Sequence, residues 1–244
     1  MNKIIFLGRK KLEYYSGLLI RADKGLHDQI AEVIQLKVEK GAKILDMGAG
    51  QGALSARLYD LGYAVTAVDV NDGDYGLSGR EIKFEHLNFD DEKSLESFIS
   101  QHESQFDAVC GVEVIEHVEN PWAYVRGLKK LAKLGGLVLI TTPNTTSWLS
   151  RLIFLRQGQF LCFQKANLSY GHINPVTRFE LELIMSRSDL EDIEIFSAGT
   201  LPPLYFTSVK MMIWSLMALV LRPFQSGILN GWCLIAIGRK RSDS

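Results

Sequence analysis

Two kinds of hydrophobic pattern alternate along this 244-residue chain. Short, nearly continuous apolar runs stand at 43–47, 64–70, 106–114 and 137–142, with further ones at 192–196 and 231–238, while residues 82–90 alternate apolar and polar. Such runs predict strands, buried on both faces where they are continuous. Between them the apolar positions fall at helical spacing: Leu26, Ile30, Val33, Ile34 and Val38; then Leu54, Leu58 and Leu61; then Trp122, Val125, Leu128 and Leu131. Residues 93–103 read as an exposed helix. Residues 177–187 read as another, with Thr177 as N-cap and Glu180 in the capping-box position. Pro121 suits the first turn of its helix, and Gly135-Gly136 is expected to end it. Residues 71–79, acidic and glycine-rich, read as a short irregular crossover. Strands alternating with helices define an α/β chain.

The strand at 43–47 runs straight into Gly48-Ala49-Gly50-Gln51-Gly52 and a helix start. Glycines there permit a sharp turn and bring bare backbone to a ligand. The new helix adds free N–H groups at its positive end. Two cofactors fit that turn. Gly48-x-Gly50-x-x-Ala53, with Asp69 downstream, satisfies the loose dinucleotide fingerprint. Asp46-x-Gly48-x-Gly50-x-Gly52 instead resembles the first motif of class I S-adenosylmethionine (SAM)-dependent methyltransferases. That resemblance extends further, to Ala64–Asp69-Val70, to Phe106–Val118 with its Glu113-Val114-Ile115-Glu116-His117 segment, and to Leu134-Gly135-Gly136 with the apolar strand after it. Four matches in order outweigh one glycine turn, and the layout of 113–144 is most similar to the ubiquinone-biosynthesis O-methyltransferases and their broad relatives.

The resemblance implies a Rossmann-like, three-layer αβα fold with a seven-stranded, mostly parallel sheet whose last strand is antiparallel. It implies SAM as cofactor and S-adenosylhomocysteine as product. Gly48, Ala49, Gly50 and Gly52 would bring backbone to the methionine part, and Asp46 would orient its ammonium group or the loop. Asp69, followed by Val70, would accept the ribose hydroxyls. Asn88 and Phe89 would meet the adenine, with Asp90 the second choice for its amino group, and backbone at Val112-Glu113 would line the other side of the cleft. Tyr14, Tyr15 or Arg21 would close over the cofactor, or the tyrosines would simply pack on the sheet.

Methyl transfer from a sulfonium is an in-line displacement, so the enzyme chiefly aligns two atoms and excludes water. A base is needed when the acceptor arrives protonated, as a hydroxyl does. His117, just past a strand on the carboxyl side of the sheet, is a candidate general base, although a structural role suits it equally. His172, beside Gly171 in a lid segment, is a second candidate. His27, His86 and His102 have no acid at ligand spacing, and no metal is expected.

A formal charge of −1 leaves no electrostatic footprint for nucleic acid. Three widely spaced cysteines suit a reducing compartment, and residues 1–22 lack the core and cleavage site of a signal peptide. The expected organisation is one domain over 1–244, with an N-terminal cap at 1–40 and apolar lids near 145–176 and 200–228. The expected partner is a small, apolar or lipid-linked acceptor, and the expected location is cytoplasmic. Residues 211–221 carry no charge and lie between Lys210 and Arg222. That run is too short to span a bilayer, leaving a core helix, a dimer face, or a peripheral membrane contact through 203–224. Two rival functions remain, a nicotinamide-dependent oxidoreductase and an inactive methyltransferase-fold binding protein.

Overall fold

The computed structural model describes residues 5–6, 12–71, 76 and 80–241. Most of the loop expected at 71–79 lies outside them. Strands β1 (Ile5–Phe6), β2 (Glu13–Tyr15) and β3 (Leu18–Ile20) precede α1 (Leu26–Lys37). The alternation then runs β4 (Lys43–Met47), α2 (Ala53–Asp60), β5 (Ala64–Asp69), β6 (Lys83–His86), α3 (Glu92–His102), β7 (Phe106–Val112), α4 (Pro121–Leu131) and β8 (Ala132–Pro143). After α5 (Trp148–Gln157) and α6 (Arg178–Arg187) come β9 (Leu190–Ala198), β10 (Leu204–Tyr205), α7 (Val209–Leu221) and β11 (Cys233–Lys240). Seven strands form one sheet in the order β6-β5-β4-β7-β8-β11-β9, with β11 antiparallel to both neighbours.

Strand alternation sorts the core into two layers. Leu45, Met47, Val109, Val138 and Ile140 point to the face covered by α3, α4 and α6, where Phe98, Leu128 and Ile184 meet them. Ile44, Ala108, Cys110, Leu137 and Leu139 point to the opposite face, onto Leu26, Ile30 and Ile34 of α1 and Leu54 and Leu58 of α2. The chain passes from β4 outward to β5 and β6, then returns to β7 on β4's other side. That reversal opens a crevice at the carboxyl ends of β4 and β7, where open α/β sheets bind ligands.

Two expected boundaries are wrong. Gly135-Gly136 does not end α4: the helix stops at Leu131, and Ala132 is already extended. The pairing of β7 with β8 jumps from Phe106–Ala132 to Ala108–Leu137, so residues 133–136 bulge out within the strand. A Cβ on Gly136 would sit 2.8 Å from the Lys133 carbonyl oxygen, which makes glycine necessary there. The expected strand at 82–90 is also shorter, leaving Asn88 and Phe89 in the turn beyond it. The Thr177 hydroxyl caps α6 as expected, accepting from the Glu180 N–H at 3.1 Å.

Above the carboxyl edge, α5 and α7 pack together on a small core of Trp148, Leu149, Leu152, Leu201, Tyr205 and Ala218. Asn144, buried where β8 ends, fastens this lid to the sheet. Its Nδ2 donates to the carbonyl oxygens of Ile228 (3.1 Å) and Asn230 (2.9 Å), while its Oδ1 accepts from the Thr146 hydroxyl at 2.9 Å. Asn144→Ala removes these part-buried hydrogen bonds, at about 1 kcal/mol each. The expected result is a lower urea midpoint with an unchanged slope, checked by equilibrium denaturation; an unaltered midpoint contradicts the fastening role.

Candidate active site

The glycine turn is built by its neighbour strand. The N–H groups of Gly48 and Ala49 both donate to the Val68 carbonyl oxygen, at 2.7 and 3.1 Å. The N–H of Gly50 donates to Asp69 Oδ2 at 2.8 Å. All three glycines of the turn have positive φ. At Gly48 space adds to conformation, since a Cβ would lie 2.2 Å from a Val114 methyl carbon. The turn therefore lies flat against the end of β5, and its open side faces a cavity of about 730 Å³, within the range of small-molecule sites.

Nearly every residue expected at the cofactor site lines this cavity: Asp46, Gly48, Ala49, Gly50, Asp69, Val70, Asn88, Phe89, Val112 and Glu113. Gly52 does not. It is the left-handed N-cap of α2, its N–H donating to the Ala49 carbonyl oxygen at 2.8 Å, and it shapes the turn from behind. Asp69 already takes one N–H on each oxygen, from Gly50 and from Asn71. A carboxylate has about four acceptor sites, so capacity for two hydroxyls remains. Asn88 Oδ1 accepts from the Asp90 N–H at 3.0 Å, which turns its amide nitrogen into the group available to a ligand. Tyr15 packs outside the cavity, its hydroxyl donating to Asp60 with the Arg57 guanidinium over its ring, whereas Arg21 lines the wall.

Asp46 is wholly buried beneath the turn, its Oδ2 accepting from the Ser55 hydroxyl at 2.6 Å. Burial first, then the nearby Asp69 charge, pushes its pKa up to about 6. His27 also lines the wall, and burial pulls it down to about 4, leaving a neutral imidazole.

The far end of the cavity belongs to Glu113, His117 and His172. Glu113 sits at positive φ just past β7. Its N–H donates to Thr141 Oγ1, which in turn donates to Glu113 Oε1, both at 2.9 Å. The His117 and His172 rings meet edge-on with centroids 4.8 Å apart. Burial lowers the pKa of both, and at His117 the neighbouring His172 imidazole lowers it further. Glu116 lies fully buried behind them, its pKa raised by burial and by Glu113. The sequence reading missed the rest of this wall, notably Cys162, Tyr170, Trp232 and Cys233. They come from the lid and from β11, and no local pattern assigns them to a ligand.

Fold and turn together define the class I SAM-dependent methyltransferases. A family model described as a methyltransferase domain matches residues 21–195. The chain belongs to that family, and the dinucleotide reading of the glycine turn falls. The ubiquinone biosynthesis O-methyltransferase of Glaesserella parasuis is 34% identical over 120 residues, 47% of this chain and 51% of that protein. Its counterpart from Dinoroseobacter shibae is 37% identical over 112 residues, 43% and 42% of the two chains. This chain thus spans about half the length of the curated relatives it matches. Among solved structures, a SAM-dependent methyltransferase from Archaeoglobus fulgidus superposes with a TM-score of 0.61 at 14% identity, over 88% of this chain and 94% of that one. The 1,6-didemethyltoxoflavin-N1-methyltransferase of Burkholderia thailandensis, with bound S-adenosylhomocysteine, gives 0.56 at 15% identity, over 91% and 80%. These two share the fold.

Two tests follow from this geometry. Asp69→Ala removes a charged acceptor, with about 1.5–3 kcal/mol for each hydrogen bond it makes, so S-adenosylhomocysteine affinity should fall by about tenfold or more. Titration calorimetry on the folded variant checks this, and unchanged affinity refutes the ribose assignment. Asp46, raised from 3.8 to about 6, favours the folded state only in its protonated form. Its contribution is complete below about pH 4 and is lost as pH rises through about 6, a swing of roughly 3 kcal/mol. Asp46→Asn should flatten that part of the ligand-free stability profile, measured by denaturation at each pH.

Proposed function

We propose that this chain moves the methyl group of SAM to a hydroxyl oxygen on a small, lipid-like acceptor, working against a membrane surface. The observation that carries this reading is a single cavity with two differently built ends. One end is the glycine turn with Asp69; the other holds a pair of imidazoles beneath an apolar lid. In the reaction the new bond joins acceptor oxygen and methyl carbon. The electron pair of the broken carbon–sulfur bond stays on sulfur, and the hydroxyl proton must leave. Neutral His117 or His172 is placed to take that proton. The O-methyltransferase names of the curated relatives agree with a hydroxyl acceptor, although their lids do not carry over.

The membrane half rests on α7. The sequence left open whether this helix is core; of its residues only Ser215 and Ala218 are buried, which supports an outward-facing role. Ile213, Leu216, Met217 and Val220 form an exposed apolar stripe, continued by Phe224. Trp214 does not face the cavity. It packs in the lid core with Lys210 and Arg156 against its ring. Cations beside an exposed apolar stripe suit an anionic lipid surface, since their stems can lie along apolar groups while their heads reach phosphates. Among the described residues no helix is long and apolar enough to cross a membrane.

S-adenosylhomocysteine should raise the melting temperature by mass action, and NADPH should not. With labelled SAM, phenols bearing a long isoprenoid or alkyl chain should be methylated faster than their short-chain analogues; equal rates overturn the lipid-like acceptor. Ile213→Glu with Val220→Glu should abolish co-sedimentation with anionic vesicles at an unchanged melting temperature. Wild-type protein that stays in the supernatant, or that pairs through this face into a dimer, overturns the membrane contact.

A further inference from the structure

We infer that the recess at the foot of α7, between Arg222 and residues 225–230, binds the phosphate of an anionic lipid headgroup. The recess has a volume of about 380 Å³, and Arg222, Gln225, Gly227 and Asn230 are among the residues that line it. That the phosphate belongs to a lipid rests on the membrane reading of α7; the phosphate chemistry of the recess does not.

Charge is the first observation. The lid segments 144–179 and 195–232 contain Arg151, Arg156, Lys165, Arg178, Lys210 and Arg222 but no Asp or Glu. The whole chain has a formal charge of −1, so a cationic lid sits on an acidic body, and its field favours an anionic partner. At the recess two of these cations lack counter-ions. Half-buried Arg222 donates through Nη2 to Asn230 Oδ1 at 2.9 Å. Arg151 donates through Nε to the Thr146 carbonyl oxygen at 2.9 Å and through Nη2 to that of Ser226 at 2.7 Å. A Cβ on Gly227 would stand 3.5 Å from that same Nη2, which places Arg151 at the rim. Every one of these acceptors is uncharged, and among the described residues neither arginine has a carboxylate partner. A guanidinium carries five donors in a planar fork that matches phosphate oxygens, and most of them remain. Burial pulls the Arg151 pKa below its usual range, as desolvation does to a cation without a counter-ion. Gln225 Oε1 is buried without a hydrogen-bond partner, an acceptor that a headgroup hydroxyl or amine would fill.

The surroundings favour a lipid over a free anion. Val220 and Phe224, two residues before and after Arg222, are 72% and 87% exposed. Arg222 also borders an apolar crevice lined by Trp148, Ala218, Leu219 and Leu229. Inorganic phosphate would gain nothing from this apolar rim, whereas acyl chains would cover it. The segment that walls the recess also walls the main cavity. Its Leu229 carbonyl oxygen accepts from the Trp148 N–H at 3.0 Å, Asn144 holds its Ile228 and Asn230 carbonyls, and Trp232 and Cys233 then line the cavity. A headgroup held at Arg222 would therefore fix how the cavity is turned toward the bilayer.

The probe is dihexanoyl-phosphatidylglycerol, kept monomeric below its micelle concentration and titrated into tag-free, full-length protein. Saturable binding by calorimetry is expected. Arg222→Gln should weaken it by about tenfold or more at an unchanged melting temperature, and Arg222→Lys, which keeps the charge but not the fork, should fall between. Lys165→Gln, an exposed lid cation outside the recess, should bind like wild type. Equal losses in Arg222→Gln and Lys165→Gln would mean a diffuse lid field and overturn the discrete site. So would equal binding by wild type and Arg222→Gln, or no saturable binding to wild type. Inorganic phosphate that binds as tightly as the lipid assigns the recess to a free anion and overturns the headgroup. Arg222-dependent binding of the monomeric lipid by protein that never sediments with anionic vesicles leaves the recess standing and overturns only the membrane reading. Vesicle binding that Arg222→Gln leaves intact, with no monomeric lipid bound, does the reverse.

Discussion

The site depends on the grip of one strand on the loop of another. Val68 offers its carbonyl to two consecutive N–H groups of the glycine turn, and Asp69 offers a carboxylate oxygen to a third. A turn with three left-handed glycines would otherwise be among the most mobile parts of the chain, because glycine surrenders most entropy on ordering. The partners come from β5, which pairs with β4 in parallel through five residues. The glycine turn that faces the cavity is therefore an extension of the sheet, held by the same kind of hydrogen bond. Asp69 is both a loop anchor and a ligand candidate, so its two roles share one carboxylate.

Polar groups that the fold could have avoided are concentrated at this same edge. Asp46, Glu116, Tyr124 and Cys110 are wholly buried at or near the ends of β4 and β7, each with its proton-bound form favoured by desolvation. Burying a carboxyl group without a full set of partners costs stability, so a concentration of them at the ligand-binding end of a sheet marks a site shaped for chemistry at the expense of folding energy.

Much of the fold was legible because hydrophobic periodicity reports burial directly. β4, β7 and the later part of β8 are central strands covered on both faces, so their apolar runs are continuous and unmistakable. The error at Gly135-Gly136 has the same root: glycines mark positions where a side chain will not fit, and a helix end and a strand bulge meet that condition equally. The expected cofactor-site residues that line the cavity were legible because they lie within a few positions of strand ends. The opposite wall of the cavity was not, since Cys162, Tyr170 and Trp232 reach it only through the folding of residues distant in sequence over the sheet. Glu116 and His117 were visible as a motif, but their proximity to His172 is a tertiary fact.

The helix at 209–221 shows what pattern reading leaves open. A segment apolar nearly all round is ordinarily interior, yet the only buried residues of α7 are the small Ser215 and Ala218. Small residues let the helix approach closely: Ser215 Oγ accepts the N–H of Tyr205 at 3.2 Å and donates to the Met212 carbonyl oxygen at 3.0 Å. Trp214 and Met211 pack on the lid core beside the small residues, and Ile213, Leu216, Met217 and Val220 are turned outward. These four stay on the outer face, and they are the groups that the proposed membrane contact would cover.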